Sequence, residues 1–355
     1  MTATLRVVLD QLVAPTSSDL AEATRELTRA LIATAPRGTA VAGIAPRGEE
    51  VALDGLADVT RLPLPRRELA ASWSMGVAPG VGKGLIHAPT LLAPLTKHDR
   101  VHDTHQIVAT LWDLDAWEHP DRLPKADVLW QKAMLKRAQK HADALVVPTH
   151  AMARRLAELA PKMSGRVRVI AGAPVEGFRV PTDAAGRLRT LGLGAGYVVI
   201  EADADEEAFR ALAGAGDVVA VAADDGEVDV IRDRAAAGGV AAEHLTVLRG
   251  LDAWDRAAVL SAADLFVAPS TAAAWPWRAV EALALGVPVV AAQSDVHREV
   301  LAEGALLADA AGLAEAITAA RGPAAVRLRV LAGDRGRSFS WRDAAERTWA
   351  LHAEL

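Results

Sequence analysis

Residues Ala263–Leu307 read ADLFVAPSTAAAWPWRAVEALALGVPVVAAQSDVHREVLAEGALL, and their pattern gives the clearest indication of the fold. Two short apolar runs, Leu265–Ala268 and Val287–Ala291, flank a segment whose apolar residues have helical spacing. That helix, predicted over Arg278–Leu285, ends at Gly286, which suits the left-handed conformation of a helix C-cap. Strand, helix and strand in this order are the repeating unit of a parallel α/β sheet.

The same alternation of apolar runs and helical stretches continues through the rest of the chain. The other predicted strands are Leu5–Leu9, Val41–Ala45, Gly84–His87, Ile107–Leu111, Ala144–Val147, Val167–Ile170, Tyr197–Ile200, Val218–Ala222 and Leu245–Leu248. The other predicted helices are Asp19–Ala35, Lys125–Ala142, Thr149–Leu159 and Ser340–Leu355, the first capped by Ser18 or Asp19. Two parallel sheets with helices between their strands follow from this pattern.

A chain of 355 residues is long enough for two domains. The Pro- and Gly-rich segment Ala173–Gly196 has the composition of a linker between them. We therefore predict an N-terminal domain over residues 1–175 and a C-terminal domain over 176–338. Residues 339–355 form a final helix.

Composition excludes several classes of protein. The chain has no cysteine, which rules out disulfides and thiolate chemistry, and its net charge of −6 without a basic run argues against a nucleic-acid partner. The start lacks a charged leader followed by a long apolar core, and no apolar run approaches the ~18 residues that span a bilayer. We expect a cytoplasmic protein without a signal peptide or a transmembrane segment.

A series of motifs gives the chain a family resemblance. In chain order they are His87–Leu95, Trp112–Asp121, Trp130–Ala153, Arg166–Pro174, Ala263–Leu307 and Ser340–Ala345. Together they resemble the retaining glycosyltransferases of family 4, in particular the bacterial mannosyltransferase-like group. The resemblance covers nearly the whole chain, and the order of the motifs is more specific than any one of them.

The resemblance implies the GT-B architecture: two facing Rossmann-like domains with parallel sheets, and a C-terminal helix that crosses back to the N-terminal domain. It also implies a nucleotide-sugar donor bound on the C-terminal side and a glycan or glycolipid acceptor on the N-terminal side. The family is metal-independent, so we expect no metal and no cofactor besides the donor.

The family's paired glutamates, eight residues apart, fall on Ala273 and Glu281, so the first is missing and the second is kept. In the family the second glutamate holds the ribose hydroxyls and the first lies by the sugar. Arg278 is the cation placed to compensate if the loop turns it towards the nucleotide; a solvated helix N-terminus is the alternative. The candidate donor-binding residues are Ser270, Thr271, Arg278, Glu281, His297 and Arg298, with His297 or Arg298 reaching a phosphate.

The candidate catalytic residues of the N-terminal domain are Trp112, Asp113 and His119. The family histidine falls on Trp112, which can stack on a sugar face or simply pack as a buried aromatic. Asp113 either serves the reaction or orders the turn. His119 matches a family position, although a lone histidine is more often structural.

Two further family elements have changed. The glycine loop is replaced by Val13–Asp19, whose serines suit a helix cap, and the Arg-Lys pair after Tyr197–Ile200 is replaced by the acidic run Glu201–Ala208. Like charges about 4 Å apart cost about 4 kcal/mol at an effective dielectric of 20, so acids here would repel a diphosphate. Alternatively, Asp205, Glu206 and Glu207 start a helix, where acids are favoured, or they bind a divalent ion.

These residues leave two functional hypotheses. The first is an enzyme that transfers a hexosyl group from a nucleotide sugar to a polysaccharide or glycolipid precursor with retention. The second is a catalytically degenerate member that acts as partner or regulator of an active glycosyltransferase.

Overall fold

The computed structural model describes residues 3–99, 104–222, 225–322 and 324–355. The chain divides into two compact units. Unit 1 comprises Met1–Gly172, Ala272–Trp275 and Ser340–Leu355, and unit 2 comprises Ala173–Thr271 and Pro276–Phe339.

The strands are β1 Ala3–Val8, β2 Thr39–Ala45, β3 Val59–Arg61, β4 Leu85–Ala88, β5 Gln106–Thr110, β6 Ala144–Val147, β7 Val167–Val169, β8 Tyr197–Ile200, β9 Val218–Ala222, β10 Leu245–Arg249, β11 Ala263–Ala268, β12 Val289–Ala292 and β13 Ala305–Ala308. The α-helices are α1 Asp10–Val13, α2 Ser18–Ala33, α3 Arg66–Ser74, α4 Asp115–Glu118, α5 Lys125–His141, α6 His150–Leu159, α7 Ala184–Thr190, α8 Glu206–Leu212, α9 Asp225–Ala237, α10 Ala253–Ser261, α11 Trp277–Ala284, α12 Asp295–Val300, α13 Leu313–Arg321, α14 Ala325–Gly336 and α15 Trp341–Glu354. Short 3-10 helices occupy Pro120–Arg122, Pro161–Met163, Ala242–His244 and Ala302–Gly304.

Each unit has one parallel sheet covered by helices, which confirms the predicted α/β class. Unit 1 has seven strands in the order β3-β2-β1-β4-β5-β6-β7, and unit 2 has six in the order β10-β9-β8-β11-β12-β13. In both sheets the chain starts near the centre, builds outward to one edge and then crosses to the other side. The reversal lies between β1 and β4 in unit 1 and between β8 and β11 in unit 2, and such reversals are where open α/β sheets bind ligands.

The C-terminal helix α15 packs against α2 within unit 1. Ser340 caps α15 by accepting a hydrogen bond from the Asp343 amide, and the Trp349 indole donates to the Leu31 carbonyl. This helix therefore completes the core of a unit whose strands all lie between Ala3 and Val169 in the sequence.

One local prediction is wrong, and one predicted segment has more structure than its composition indicated. The cap of α2 is Ser17 and not Ser18 or Asp19, because the Ser17 hydroxyl accepts from the Asp19 amide at 3.2 Å. The predicted linker Ala173–Gly196 contains α7, which is held to α10 by an Arg187–Asp255 ion pair of 2.7 Å.

The short elements outside the sequence prediction include β3, α3 and β13. The strand β3 has only three residues, none of them buried, so it lacks an apolar run, and α3 lies between prolines and a glycine-rich turn. The strand β13 lies after Val287–Ala291, the last of the predicted strands. Each is a short element whose formation depends on neighbouring strands or helices more than on its own pattern.

Among the residues that the structure describes, none of the helices has the length and apolar character that crossing a bilayer requires.

Candidate functional site

The strand reversal in unit 2 brings several of the predicted site residues to one edge of the sheet. The strand β8 ends at Ile200 and is followed by Glu201, and the neighbouring β11 leads into half-buried Ser270 and exposed Thr271. The helix α11 begins after the loop that follows β11, so its N-terminus also lies at the carboxyl edge of the strands.

Glu281 on α11 is the centre of a buried charge cluster. Only 3% of Glu281 and 5% of Arg256 is exposed. The Arg256 guanidinium from α10 donates to both carboxylate oxygens, through Nη2 at 2.9 Å and Nε at 3.2 Å. Arg278, one turn earlier on α11, donates from Nη1 to Oε2 at 2.5 Å. We call these three residues the Arg-Glu-Arg cluster.

The Arg-Glu-Arg cluster joins two guanidinium groups to one carboxylate, so its formal charge is +1. It lies in the first turns of α11, where the helix dipole adds further positive potential. Arg278 therefore turns towards Glu281 and not into solvent, and the carboxylate that the family resemblance assigned to ribose already binds two arginines.

The acidic run after β8 is less negative than its sequence suggests. Burial, and then the neighbouring Asp203 carboxylate, raise the pKa of Glu201 well above its ordinary value, which favours the neutral acid. Asp205 caps α8 by accepting from the Ala208 amide at 2.9 Å, and Glu206 pairs with Arg210. The interpretation of these acids as a helix start is confirmed for Asp205.

His297 and Arg298 on α12 have different surroundings. The buried His297 donates from Nδ1 to the Ala292 carbonyl at 2.8 Å, and burial lowers its pKa. Its Nε2 is therefore a hydrogen-bond acceptor, which suits a hydroxyl better than the phosphate expected from sequence. Arg298 is exposed and pairs with Asp295 at 2.6 Å.

In unit 1 the predicted catalytic residue Trp112 is a packed side chain. It is 6% exposed, its indole donates to the Pro89 carbonyl at 2.8 Å, and its ring meets Trp341 edge-on with centroids 6.3 Å apart. Gly172 lies against the Trp112 and Trp275 rings, where an added Cβ would be 2.9 Å from the Trp275 Nε1. This environment fits the alternative in which Trp112 packs as a buried aromatic.

Asp113 pairs with the loop that contains Ala273, the position of the missing family glutamate. It forms an antiparallel bridge with Ala274, and the Leu114 amide donates to the Ala273 carbonyl at 3.0 Å. Burial, and then the Asp115 carboxylate, raise the pKa of Asp113 to about 6. The third candidate, His119, is half-buried at the end of α4. Asp113 is thus a carboxyl group that can change charge near neutral pH.

Sequence reasoning missed a polar network at the reversal point of unit 1. Asp10, the first residue of α1 and two residues after β1, is fully buried and accepts from Arg66 Nε at 2.8 Å and from Gln11 at 2.7 Å. Its Oδ1 has no hydrogen-bond partner among the described residues, and burial raises its pKa despite Arg66. Only the acidic residue directly after an apolar strand could have drawn attention to it.

The residues of this chain that the structure describes include no group of three or more His, Cys, Asp or Glu side chains able to hold a metal ion. The acidic run after β8 therefore has no metal-ligand geometry in its described part.

Comparison with known proteins adds a family match to this geometry. Residues 206–320, which span α8 to α13 and include the Arg-Glu-Arg cluster, match the family model described as glycosyl transferases group 1. No curated protein sequence matches the chain.

Solved structures resemble the chain over its whole length. Sucrose-phosphate synthase from Thermosynechococcus elongatus matches with 20% identity over 99% of both chains and a TM-score of 0.70. Anabaena HepE, solved with UDP and glucose, matches with 18% identity over 100% of both chains and a TM-score of 0.68. WaaG, a glycosyltransferase of lipopolysaccharide biosynthesis, matches with 13% identity over 97% of this chain and 98% of its own, with a TM-score of 0.64.

At these identities the structural matches establish the fold, and the family match concerns the second unit. The chain has the GT-B architecture, and its residues 206–320 match the family model of the group 1 glycosyl transferases.

Proposed function

We propose that the protein transfers a hexosyl group from a nucleotide sugar to a hydroxyl of a polysaccharide or glycolipid precursor, with retention of configuration. Unit 2 would bind the nucleotide and unit 1 the acceptor. The observation that carries this proposal is the Arg-Glu-Arg cluster: a net positive, ordered group at the N-terminus of α11, inside the glycosyl transferase match. The fold neighbour HepE, solved with UDP-glucose, supports a nucleotide sugar as the donor.

In this proposal Arg278 is the cation that meets the donor phosphates. Its side chain is 22% exposed, whereas Arg256 is almost wholly buried, so only Arg278 can reach a ligand while Glu281 keeps it in place. Charge-assisted hydrogen bonds from a fixed guanidinium suit the charge that develops on a departing diphosphate.

The other residues predicted to bind the donor are either uncharged or exposed at the edge of the site. Ser270 and Thr271 would hydrogen-bond the nucleotide at the end of β11, and His297 Nε2 would accept from a ribose or sugar hydroxyl. Arg298, paired with Asp295 on the exposed side of α12, would act only at the margin of the site. The neutral form of Glu201 lessens the repulsion that a phosphate would meet beside β8.

On unit 1 we assign the acceptor hydroxyl to Asp113. A carboxyl group with a pKa of about 6 can accept a hydrogen bond or exchange a proton near neutral pH. Trp112 would pack beside Asp113 as a buried aromatic, and half-buried His119 would lie on the acceptor side of the site.

The test is nucleoside diphosphate release. The protein is incubated with UDP-, GDP- and dTDP-hexoses, with and without a glycan or glycolipid acceptor, and the released diphosphate is measured. The wild type should release one diphosphate, and Arg278→Gln should lose at least about tenfold in rate, since a charged hydrogen bond contributes roughly 1.5–3 kcal/mol.

The matched control is Arg232→Gln on α9, an exposed arginine paired with Asp229 in the same unit. It should keep the wild-type rate. No release from any donor, with the fold intact, would instead support the catalytically degenerate alternative, whose partner would then be sought among active glycosyltransferases.

A further inference from the structure

The hydrogen-bonding capacity of the Glu281 carboxylate is filled within the protein. A carboxylate has about four lone-pair sites, shared between its two oxygens. Oε1 accepts from Arg256 Nη2 at 2.9 Å and from Arg256 Nε at 3.2 Å. Oε2 accepts from Arg256 Nε at 3.2 Å and from Arg278 Nη1 at 2.5 Å. Both oxygens therefore already have two donors, and a ligand hydroxyl would have to displace one of them.

Burial holds Arg256 in this position. Only 6% of its side chain and 5% of the Glu281 side chain are exposed, and Arg256 Nη1 also donates to the Leu251 carbonyl at 3.3 Å. A ligand that took the place of Arg256 on Glu281 would leave a buried guanidinium without its carboxylate, which is strongly unfavourable. The Arg256–Glu281 pair is therefore a fixed part of unit 2, and Arg278 is the more exposed member of the Arg-Glu-Arg cluster.

Recognition of a ribose commonly uses a carboxylate with free lone pairs. In Rossmann-like domains an Asp or Glu side chain accepts a hydrogen bond from the ribose 2′-hydroxyl. Other acids after the strands of unit 2 have different roles: Asp205 caps α8, and Asp295 pairs with Arg298. The raised pKa of Glu201 favours its neutral form, which is a weaker acceptor than a carboxylate. Glu281 has the position for a ribose contact but no free acceptor.

We propose that Arg256 makes nucleotide affinity independent of the ribose 2′-hydroxyl, an inference that rests on the proposed nucleotide-sugar function. Arg256 is then a specificity-determining residue, because it converts Glu281 from a hydroxyl acceptor into an internal counter-ion. His297 Nε2, on the helix after the next strand β12, serves the transferred sugar. The donor class therefore includes sugars of 2′-deoxyribonucleoside diphosphates as well as of ribonucleoside diphosphates, and the base and the sugar determine selectivity.

The test is calorimetric titration of the full-length protein with UDP, GDP and their 2′-deoxy counterparts. In the wild type the dissociation constants of a ribo–deoxy pair should agree within about threefold, because the 2′-hydroxyl meets no free carboxylate. In Arg256→Leu the Glu281 carboxylate keeps Arg278 and regains free lone pairs. The ribonucleotide should then bind at least about tenfold more tightly than the deoxyribonucleotide, since a hydrogen bond to a charged group has at least this effect on affinity.

Two further variants separate this effect from a general loss of structure. Arg232→Leu removes an exposed arginine of the same unit and should keep the wild-type ratio of the two dissociation constants. Arg256→Lys keeps a cation beside Glu281 and should give a ratio between those of the wild type and Arg256→Leu. The ratio compares two ligands on one protein, so a uniform loss of affinity does not change it.

The possible outcomes distinguish this inference from the proposed function. A wild-type preference of about tenfold or more for the ribonucleotide would overturn the inference and leave the proposed function intact. The same would follow from an unchanged ratio in Arg256→Leu whose circular dichroism matches the wild type. The wild-type comparison decides the matter if Arg256→Leu does not fold. No binding of any nucleotide would contradict the proposed function and this inference with it.

Discussion

At Glu281 a single carboxylate holds two guanidinium groups in the interior of unit 2. Replacing it by glutamine keeps the shape but leaves the buried Arg256 without a counter-charge. We expect Glu281→Gln to lower the free energy of unfolding by about 3 kcal/mol, measured by urea denaturation. The control Glu315→Gln, at an exposed position of α13, should stay within about 0.5 kcal/mol of the wild type. Equal stability of the two variants would show that the cluster does not stabilise the fold.

Gly172 is a second position where one atom matters. A methyl group there would crowd both Trp275 and Trp112, whose nearest atoms would lie 2.9 and 3.1 Å from it. We expect Gly172→Ala to destabilise the protein by about 1–3 kcal/mol through overpacking. Gly194→Ala adds the same methyl where nothing lies within 4 Å, so it should be neutral or slightly stabilising. The same thermal shift in both variants would contradict this packing argument.

Single residues were predictable only where the chemistry is local. The kept position of Glu281 was visible in the sequence, but its partner Arg256 lies 25 residues earlier and no spacing rule links them. The raised pKa of Asp113 also depends on burial, which no residue pattern of the turn specifies. These two missed features decide what the predicted residues do.

At the level of secondary structure, the contact between α15 and β4 brings two buried histidines together. His87 on β4 and His352 on α15 are 1% and 4% exposed, and their ring centroids are 5.7 Å apart. His352 Nδ1 donates to Gln106 Oε1 at 3.0 Å. Burial lowers the pKa of His87 to about 3, with His352 adding to the effect, and burial lowers the pKa of His352 to about 4.

These pKa values predict acid sensitivity. Well above pH 6.5, the ordinary pKa of histidine, both rings are neutral in the folded and the unfolded chain. The two histidines then do not lower the free energy of unfolding. As the pH falls below 6.5 the unfolded chain takes up protons that the folded chain cannot, so stability falls until the pH reaches about 4 and then about 3.

The free energy of unfolding, measured by urea between about pH 7 and pH 4.5, should therefore decline less steeply in His352→Gln. The control His244→Gln removes an exposed histidine whose Asp217 hydrogen bond raises its pKa, so its effect has the opposite sign and should not flatten the decline. A slope that His352→Gln leaves unchanged would contradict the assignment of acid sensitivity to this helix.

Most strands were predictable because they are buried on both faces, so their sequences are unbroken runs of Val, Leu, Ile and Ala. The strands β6 and β8 have the predicted bounds, Ala144–Val147 and Tyr197–Ile200. The helix α7 was hidden by the prolines and glycines around it, and its order depends on the ion pair of Arg187 with α10, a tertiary contact.

At the scale of the whole molecule, the order of motifs along the chain predicted the GT-B architecture that the structural matches establish. Overall charge was a poorer guide. A net charge of −6 conceals a row of exposed lysines on α5, because residues three to seven apart in sequence become neighbours only once the helix has formed; the row comprises Lys125, Lys132, Lys136 and Lys140.

We propose that unit 2 binds the donor nucleotide through Arg278. Calorimetric titration of the wild type and Arg278→Gln with UDP, GDP and dTDP measures this binding without an acceptor. We predict micromolar binding of one nucleotide to the wild type and a loss of at least about tenfold in Arg278→Gln. No binding of any nucleotide at millimolar concentration, or equal affinity in both proteins, would contradict the claim.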